Sequence, residues 1–297
     1  MAEPVDRDDQ PDLIVVGDVM VDVSVDAATL KRGGDVHGDV RLRPGGAGAN
    51  AAVWAATSGA RVRLFARVGD DLPGRLLAQA LEERGVDARL RFDSGSRTGT
   101  MLVLNEPGER SMVADRGANA ALEPDDLPER LSARAVLVSG YLLFNPSSEP
   151  AARAALERAD SPVVAVDAAS WPLVRAFGAE RFVSATKRAT LLLANELEAE
   201  ALTGLAGEAA ARDLAGAYGA ACIKLGAAGA VWAEGDRVIA SPAPQVEEID
   251  ATGAGDAFDG ALLAALARGT GPERALALAC HAGARAAGSH QPWPVDR

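Results

Sequence analysis

Two rhythms alternate along the chain. Short β-branched, apolar runs recur at Leu13 to Gly17, Val62 to Ala66, Ala135 to Ser139, Val163 to Asp167, Thr190 to Leu193 and Ala221 to Leu225. Between them lie Ala- and Leu-rich stretches of helical period: Gly48 to Ser58, Pro73 to Arg84, Glu149 to Ala159, Glu196 to Thr203, Gly207 to Tyr218, Gly255 to Ala267 and Pro272 to Ala287. This alternation predicts βα units and a mostly parallel sheet. The rhythm breaks twice. Val21 to Val25 with Asp35 to Leu42, and Arg89 to Phe92 with Thr98 to Leu104 and Ser111 to Ala114, alternate apolar and polar residues with no helix between them. Such segments predict a small sheet with one wet face, drawn from about 21–42 and 89–114. It would act as a lid beside the strand ends, where open α/β folds bind ligands.

Composition narrows the classes. A chain of 297 residues with 48% hydrophobic and 24% charged residues can bury a large core, and an α/β sheet of this length can be one domain, here 11–297. Residues 1–10 read as a loose acidic tail, unlike a signal peptide, and no stretch has the apolar length of a membrane span. Thirty Lys plus Arg against 42 Asp plus Glu give a net charge of −12 with no basic patch, which argues against nucleic acid or anionic membrane as partner. Cys222 and Cys280 lie in apolar segments without metal-ligand spacing, so buried thiols in a reducing cytoplasm are expected.

The densest chemistry lies in Asp250-Ala251-Thr252-Gly253-Ala254-Gly255-Asp256-Ala257-Phe258-Asp259-Gly260. Gly253, Ala254 and Gly255 leave the first N–H groups of the following helix uncovered, so these groups and the positive end of the helix dipole can hold an anion. Asp256, one step inside the helix, would then accept the proton of an attacking hydroxyl beside a bound phosphate. Taken alone, so short a motif is better read as a glycine turn with Asp256 as a first-turn dipole partner. Pro44-Gly45-Gly46-Ala47-Gly48-Ala49-Asn50 offers small residues and one amide side chain able to grip a hydroxyl, without the spacing of a dinucleotide fingerprint. Asp18 and Asp22 follow the first strand. Asn195 caps the helix that carries Glu198, whose carboxylate suits Mg²⁺ or its waters. Lys224-Leu225-Gly226-Ala227-Ala228-Gly229 ends a strand in a glycine turn, read either as a nucleotide loop or as a hairpin.

Together and in this order, these segments resemble the ribokinase-like family of carbohydrate and nucleoside kinases, also called the PfkB family, from about Leu13 to the C-terminus. Arg67-Val68-Gly69-Asp70-Asp71 with Gly74, and Gly117-Ala118-Asn119-Ala120-Ala121-Leu122, extend the likeness. The resemblance implies a three-layer α/β fold with a mostly parallel central sheet and a β-sheet lid, and transfer of the γ-phosphoryl group of ATP with Mg²⁺. It implies Asp256 as the base and Gly253, Ala254 and Gly255 as the anion hole. Asp22, Gly45, Gly46 and Asn50 would hold the acceptor. Asn195, Lys224, Gly226, Gly229 and Thr252 would hold the nucleotide, Glu198 would hold Mg²⁺ through water, and Asp250 would be a ligand for K⁺. Homodimerisation through the lid is also implied.

Departures bear on the substrate. Met20 stands where ribokinases carry Asn, Ala47 where they carry Lys, and Ser139-Gly140-Tyr141-Leu142-Leu143 lacks their ribose-binding Glu. Ribose is therefore disfavoured. Met20 with Tyr141 could flank a base, which keeps a nucleoside open beside a sugar. The opening Gly17 to Asp22 is similar to that of heptose-phosphate kinases, for which Arg110 or Arg116 would supply the cation. The rival from another class is a non-catalytic sugar or nucleotide sensor, against which the intact Asp256 argues.

Overall fold

The structure, a computed structural model, describes residues 10–26, 33–106 and 109–294, so the expected acidic tail falls outside it except for Gln10. The first third of the chain forms β1 (Leu13–Val16), β2 (Met20–Asp26), β3 (Asp39–Gly45), α1 (Ala47–Thr57), β4 (Val62–Gly69), α2 (Leu72–Glu83), β5 (Val86–Asp93), β6 (Gly99–Glu106) and β7 (Glu109–Asp115). The middle adds β8 (Leu131–Ser132), β9 (Ala135–Ser139), α3 (Glu149–Arg158), β10 (Ala159–Asp160), β11 (Val163–Asp167), α4 (Trp171–Phe177) and α5 (Ala179–Ala185). There follow β12 (Leu191–Asn195), α6 (Glu196–Thr203), α7 (Gly207–Tyr218), β13 (Ala220–Lys224), β14 (Ala230–Glu234), β15 (Arg237–Ser241), α8 (Ala254–Ala267) and α9 (Pro272–Ala287).

Successive residues of the central strands feed opposite layers. Leu13 and Val15 of β1 join a core with α1, α2, α8 and α9, whereas Ile14 and Val16 join a second core with α3 to α7. In β12, Leu191 and Leu193 face the first core and Leu192 and Ala194 the second. Burial on both faces explains why these strands read as unbroken apolar runs. The sheet between the cores has nine strands in the order β15-β14-β13-β12-β11-β9-β1-β4-β5. Pairings from β13 to β5 are parallel, and β14 and β15 complete one edge antiparallel. The three layers match the expected fold class. β8 and β10 form a separate two-stranded sheet.

The lid is a four-stranded sheet in the order β3-β2-β6-β7. Register aligns Leu42, Val23, Leu102 and Val113 in one row, and Arg43, Asp22, Met101 and Ala114 in the adjacent row on the opposite face. The second face turns inward, since Ser24 and Val103 on it are buried. On the first, Leu42 is 73% and Val113 61% exposed. One assignment is corrected: Arg89 to Phe92 does not belong to the lid. It lies in β5, which pairs parallel with β4 at the edge of the central sheet. An edge strand with one wet face alternates just as a lid strand does, so periodicity could not separate them.

Two local devices set up the site. Asn119 is buried; its Oδ1 accepts from Val19 N (2.9 Å) and its Nδ2 donates to Val19 O (2.9 Å), pinning the segment between β1 and the lid. Helices α1 and α8 cross so closely at Gly260 that a Cβ there would strike the Ala51 carbonyl. The Arg67 and Asp71 segment serves the frame: Arg67 pairs with Asp93 and Asp126, and Asp71 caps α2 through Gly74 N (2.9 Å) while accepting from Thr98 N (2.9 Å).

Candidate active site

The N-terminus of α8 opens at Gly253, whose φ of 76° is left-handed and favours glycine. The turn so formed directs Ala254 N onto the Ala251 carbonyl (3.2 Å), which leaves the amides of Gly255 and Asp256 as the first without a backbone acceptor among the described residues. Ala254 thus closes the turn, and its amide is not one of the open donors expected there. Asp256 stands in the first helical turn, where Asn50 Nδ2 donates to its Oδ2 (2.8 Å). Asn50 Oδ1 in turn accepts from Trp293 Nε1 (2.8 Å), which fixes the amide so that its NH₂ faces the carboxylate. Burial pushes the Asp256 carboxyl up to about 7, against the lowering effect of the Asn50 bond. Trp293→Phe removes the indole donor and frees the Asn50 amide to turn. It is expected to lower kcat by roughly 10-fold with little change in KM, read in steady-state kinetics.

Lys224, at the end of β13, lies beneath this turn: a Cβ on Gly255 would stand 3.6 Å from its Nζ. The ammonium donates to Asp259 Oδ2 (2.8 Å) and Asp167 Oδ1 (3.2 Å). Burial alone would push Lys224 down, but these two carboxylates outweigh it and hold the group well above its ordinary value. Burial raises Asp259, and its Oδ1 has no hydrogen-bond partner among the described residues. Gly226 and Gly229 make the turn between β13 and β14, so the hairpin reading is correct. The same turn lines a cavity of about 340 Å³ with Lys224, Val246, Gly255 and Ala284, a volume suited to a small organic ligand.

Asn195 and Glu198 form a reciprocal cap on α6. Glu198 N donates to Asn195 Oδ1 (2.9 Å), while Asn195 N and Nδ2 donate to the two Glu198 oxygens (2.8 and 2.7 Å). With the residue 4% exposed and both carboxylate oxygens engaged, Glu198 is held by Asn195 more tightly than its expected role toward Mg²⁺ implied. Burial and then the Asp167 charge push it up to about 7. Lys224 already pairs with Asp167 and lowers Glu198, and both Glu198 oxygens are engaged, so a hold on Mg²⁺ through water, rather than direct ligation, is what these carboxylates fit.

On the opposite side lies the inner face of the lid. Gly45 pairs with Met20, and a side chain at Gly45 would collide with the Asp22 carboxylate, so glycine lets Asp22 lie against the strand. Gly46, at φ 97°, passes over the Asp18 carbonyl on the way into α1. Asp18 accepts from Ala47 N (3.2 Å) and Arg116 Nη1 (3.4 Å). Arg116 also lies over the Tyr141 ring (4.8 Å to the centroid) and 3.7 Å from Met20 Sδ. Met20 is only 2% exposed. The side chain of Arg110 lies outside the described residues.

The structure therefore brings Asn50, Gly253, Gly255 and Asp256 together, and sets Lys224, Gly226 and Gly229 beside them around the cavity. Asp250 and Thr252 instead share a smaller cavity with Asp22. Sequence reading missed Trp293, Asp167 and Asp259. Only Asp259 left a signal, three residues after Asp256 and so on the same helix face.

Residues 10–293 match the profile described as pfkB family carbohydrate kinase. Fructokinase-1 from Zea mays is 33% identical over 238 residues, covering 74% of this chain and 72% of the relative. Ribokinase from Mus musculus is 29% identical over 265 residues, covering 84% and 80%. Among solved structures, adenosine kinase from Sinorhizobium meliloti superposes with a TM-score of 0.87 at 24% identity over 97% of both chains, a likeness of fold. No helix among the described residues is long and apolar enough to cross a membrane. By its matched length, its fold and the arrangement at Asp256, the chain belongs to the pfkB family of carbohydrate kinases.

Proposed function

We propose that the enzyme transfers the γ-phosphoryl group of ATP to a primary hydroxyl of a sugar or sugar-like acceptor, with Asp256 as general base. The observation that carries this reading is the Asn50–Asp256 hydrogen bond at the open end of α8, between the large cavity and the lid. ATP lies in the cavity against Gly226 and Gly229, with its terminal phosphate at the Gly255 and Asp256 amides and the turn from Thr252. The acceptor lies under the lid against Asp22, Gly45, Gly46 and Asn50. Its hydroxyl gives its proton to Asp256 as the oxygen bonds to the γ-phosphorus and the bond to the β-phosphate oxygen breaks, releasing ADP. Glu198 and Asp167 would hold Mg²⁺ through water, and the ion would supply charge neutralisation on the ATP phosphates.

A free sugar is favoured over a nucleoside. Arg116 covers the Tyr141 ring and Met20 is sealed, so the two do not form a slot for a base. The test is ADP release with MgATP across pentoses, hexoses, sugar acids, sugar phosphates and nucleosides. One acceptor that is strong with the wild type and silent with Asp256→Asn supports the reading. A nucleoside as that acceptor would overturn the preference for a sugar, and silence with nucleotide still bound would leave a sensor.

The apolar outer row of the lid supports a homodimer in which two lids cover one another. Leu42→Lys with Val113→Lys places charges in that row and is expected to halve the mass measured by light scattering. An unchanged mass would place any interface elsewhere.

A further inference from the structure

We propose that Arg43, on lid strand β3, is a built-in cation that takes the place of a mobile monovalent ion at Asp250 and ties the lid to the phosphate-holding turn. The inference rests on the kinase reading. Asp250 heads that turn: its Oδ1 accepts from Thr252 N (3.0 Å) and Thr252 Oγ1 (2.6 Å), bending the chain toward Gly253. Its Oδ2 faces Arg43 Nη1 at 3.8 Å, and the Arg43 side chain is only 10% exposed. A guanidinium so withdrawn from water needs a fixed negative partner. The register of β2 and β3 sets Arg43 opposite Asp22, on the inner face of the lid. Asp22, Ser24, Arg43, Asp250 and Thr252 line one cavity of about 20 Å³, room for about one water.

A K⁺ ion on Asp250 would have to share this space with a guanidinium, and like charges so close repel. The residues therefore do not fit resident K⁺, contrary to the ligand role first assigned to Asp250. Arg43 supplies the positive charge instead. Because Ala251 and Gly255 of the same turn line the larger cavity, the Arg43–Asp250 pair acts on nucleotide binding as well as on lid position. Arg43 is in this sense a positioning residue, reaching the phosphates through Asp250 and the turn.

The test is Mg-ADP affinity by calorimetry, at constant ionic strength, in choline chloride or KCl. Wild-type affinity is expected to change less than about twofold between the two salts, and Arg43→Met to bind roughly fivefold or more weakly in choline, with K⁺ or guanidinium ion restoring most of the loss. Arg43→Lys, which keeps the charge, should stay insensitive to K⁺, and the double variant with Asp250→Asn should lose the rescue. A wild type strongly tightened by K⁺ overturns the proposal, as does Arg43→Met binding normally in choline. Weakened binding that neither ion rescues marks Arg43 as merely structural and overturns it too. If Arg43→Met does not fold, a K⁺ response in Arg43→Lys decides against the proposal and its absence for it. A wild type that binds no Mg-ADP sinks the kinase reading and this inference together, whereas K⁺ dependence in the wild type sinks this inference alone.

Discussion

Asp256→Asn is expected to lower kcat by about 10²-fold or more while MgATP affinity stays within about twofold, because general-base catalysis typically supplies that much and the carboxamide keeps the shape. Asn50 can still donate to the amide oxygen, so the helix start and its open amides should persist. The pH profile sharpens the test. The Asp256 carboxyl titrates at about 7, and only its ionised form accepts a proton, so kcat/KM of the wild type should fall as pH drops through about 7. Glu198 titrates in the same range, so the residual activity of Asp256→Asn is the control. A limb near pH 7 that survives in the variant would assign that limb to Glu198, and turnover retained in the variant would remove Asp256 as the base.

Lys224→Met should be the most damaging single change to stability. It leaves Asp167 and Asp259 buried beside one another without their shared cation, and breaking a buried ion pair from one side typically costs about 3–5 kcal/mol. For a chain of this size that is a fall in Tm on the order of 10 °C. The pH dependence has a definite sign. Burial raises the Asp259 carboxyl, and Lys224 beside it is the largest effect opposing that rise. Without Lys224 that opposition is lost and Asp259 rises further, so the variant should regain stability as pH falls, compared at pH 8 and pH 6. Thermal unfolding at both pH values checks this. A loss below about 1 kcal/mol with no pH response would mean that the three groups do not act as a charged cluster.

The parts of the fold legible in sequence are those where one physical constraint acts alone. Central strands such as Val163–Asp167 announce themselves because both faces are buried. β5 was misplaced because one-sided burial looks alike at a sheet edge and in a lid. Helices α4 and α5 have seven residues each and are separated by Gly178, too short for period to show. The site divides in the same way. Asp256 and its glycines are contiguous, and their chemistry follows from helix-end geometry. Trp293 meets Asn50 across 243 positions, and Arg43 of the lid meets Asp250 in the loop before α8, so nothing in their local sequence marks them. Glu198 shows the converse case, a motif whose local capping reading and functional reading describe the same bonds.

The crossing of α1 and α8 at Gly260 makes the alignment of base and amide a matter of helix spacing. Asn50 sits on one helix and Asp256 on the other, and the gap between them is set where Gly260, about one helical turn beyond Asp256, meets the Ala51 carbonyl. Enlarging that contact by one methyl group would pry the helices apart without touching either catalytic side chain. A random screen for inactive but folded variants should therefore return small-to-large changes along this seam, at Gly260, Ala51 and Ala55, as readily as changes in the pocket itself.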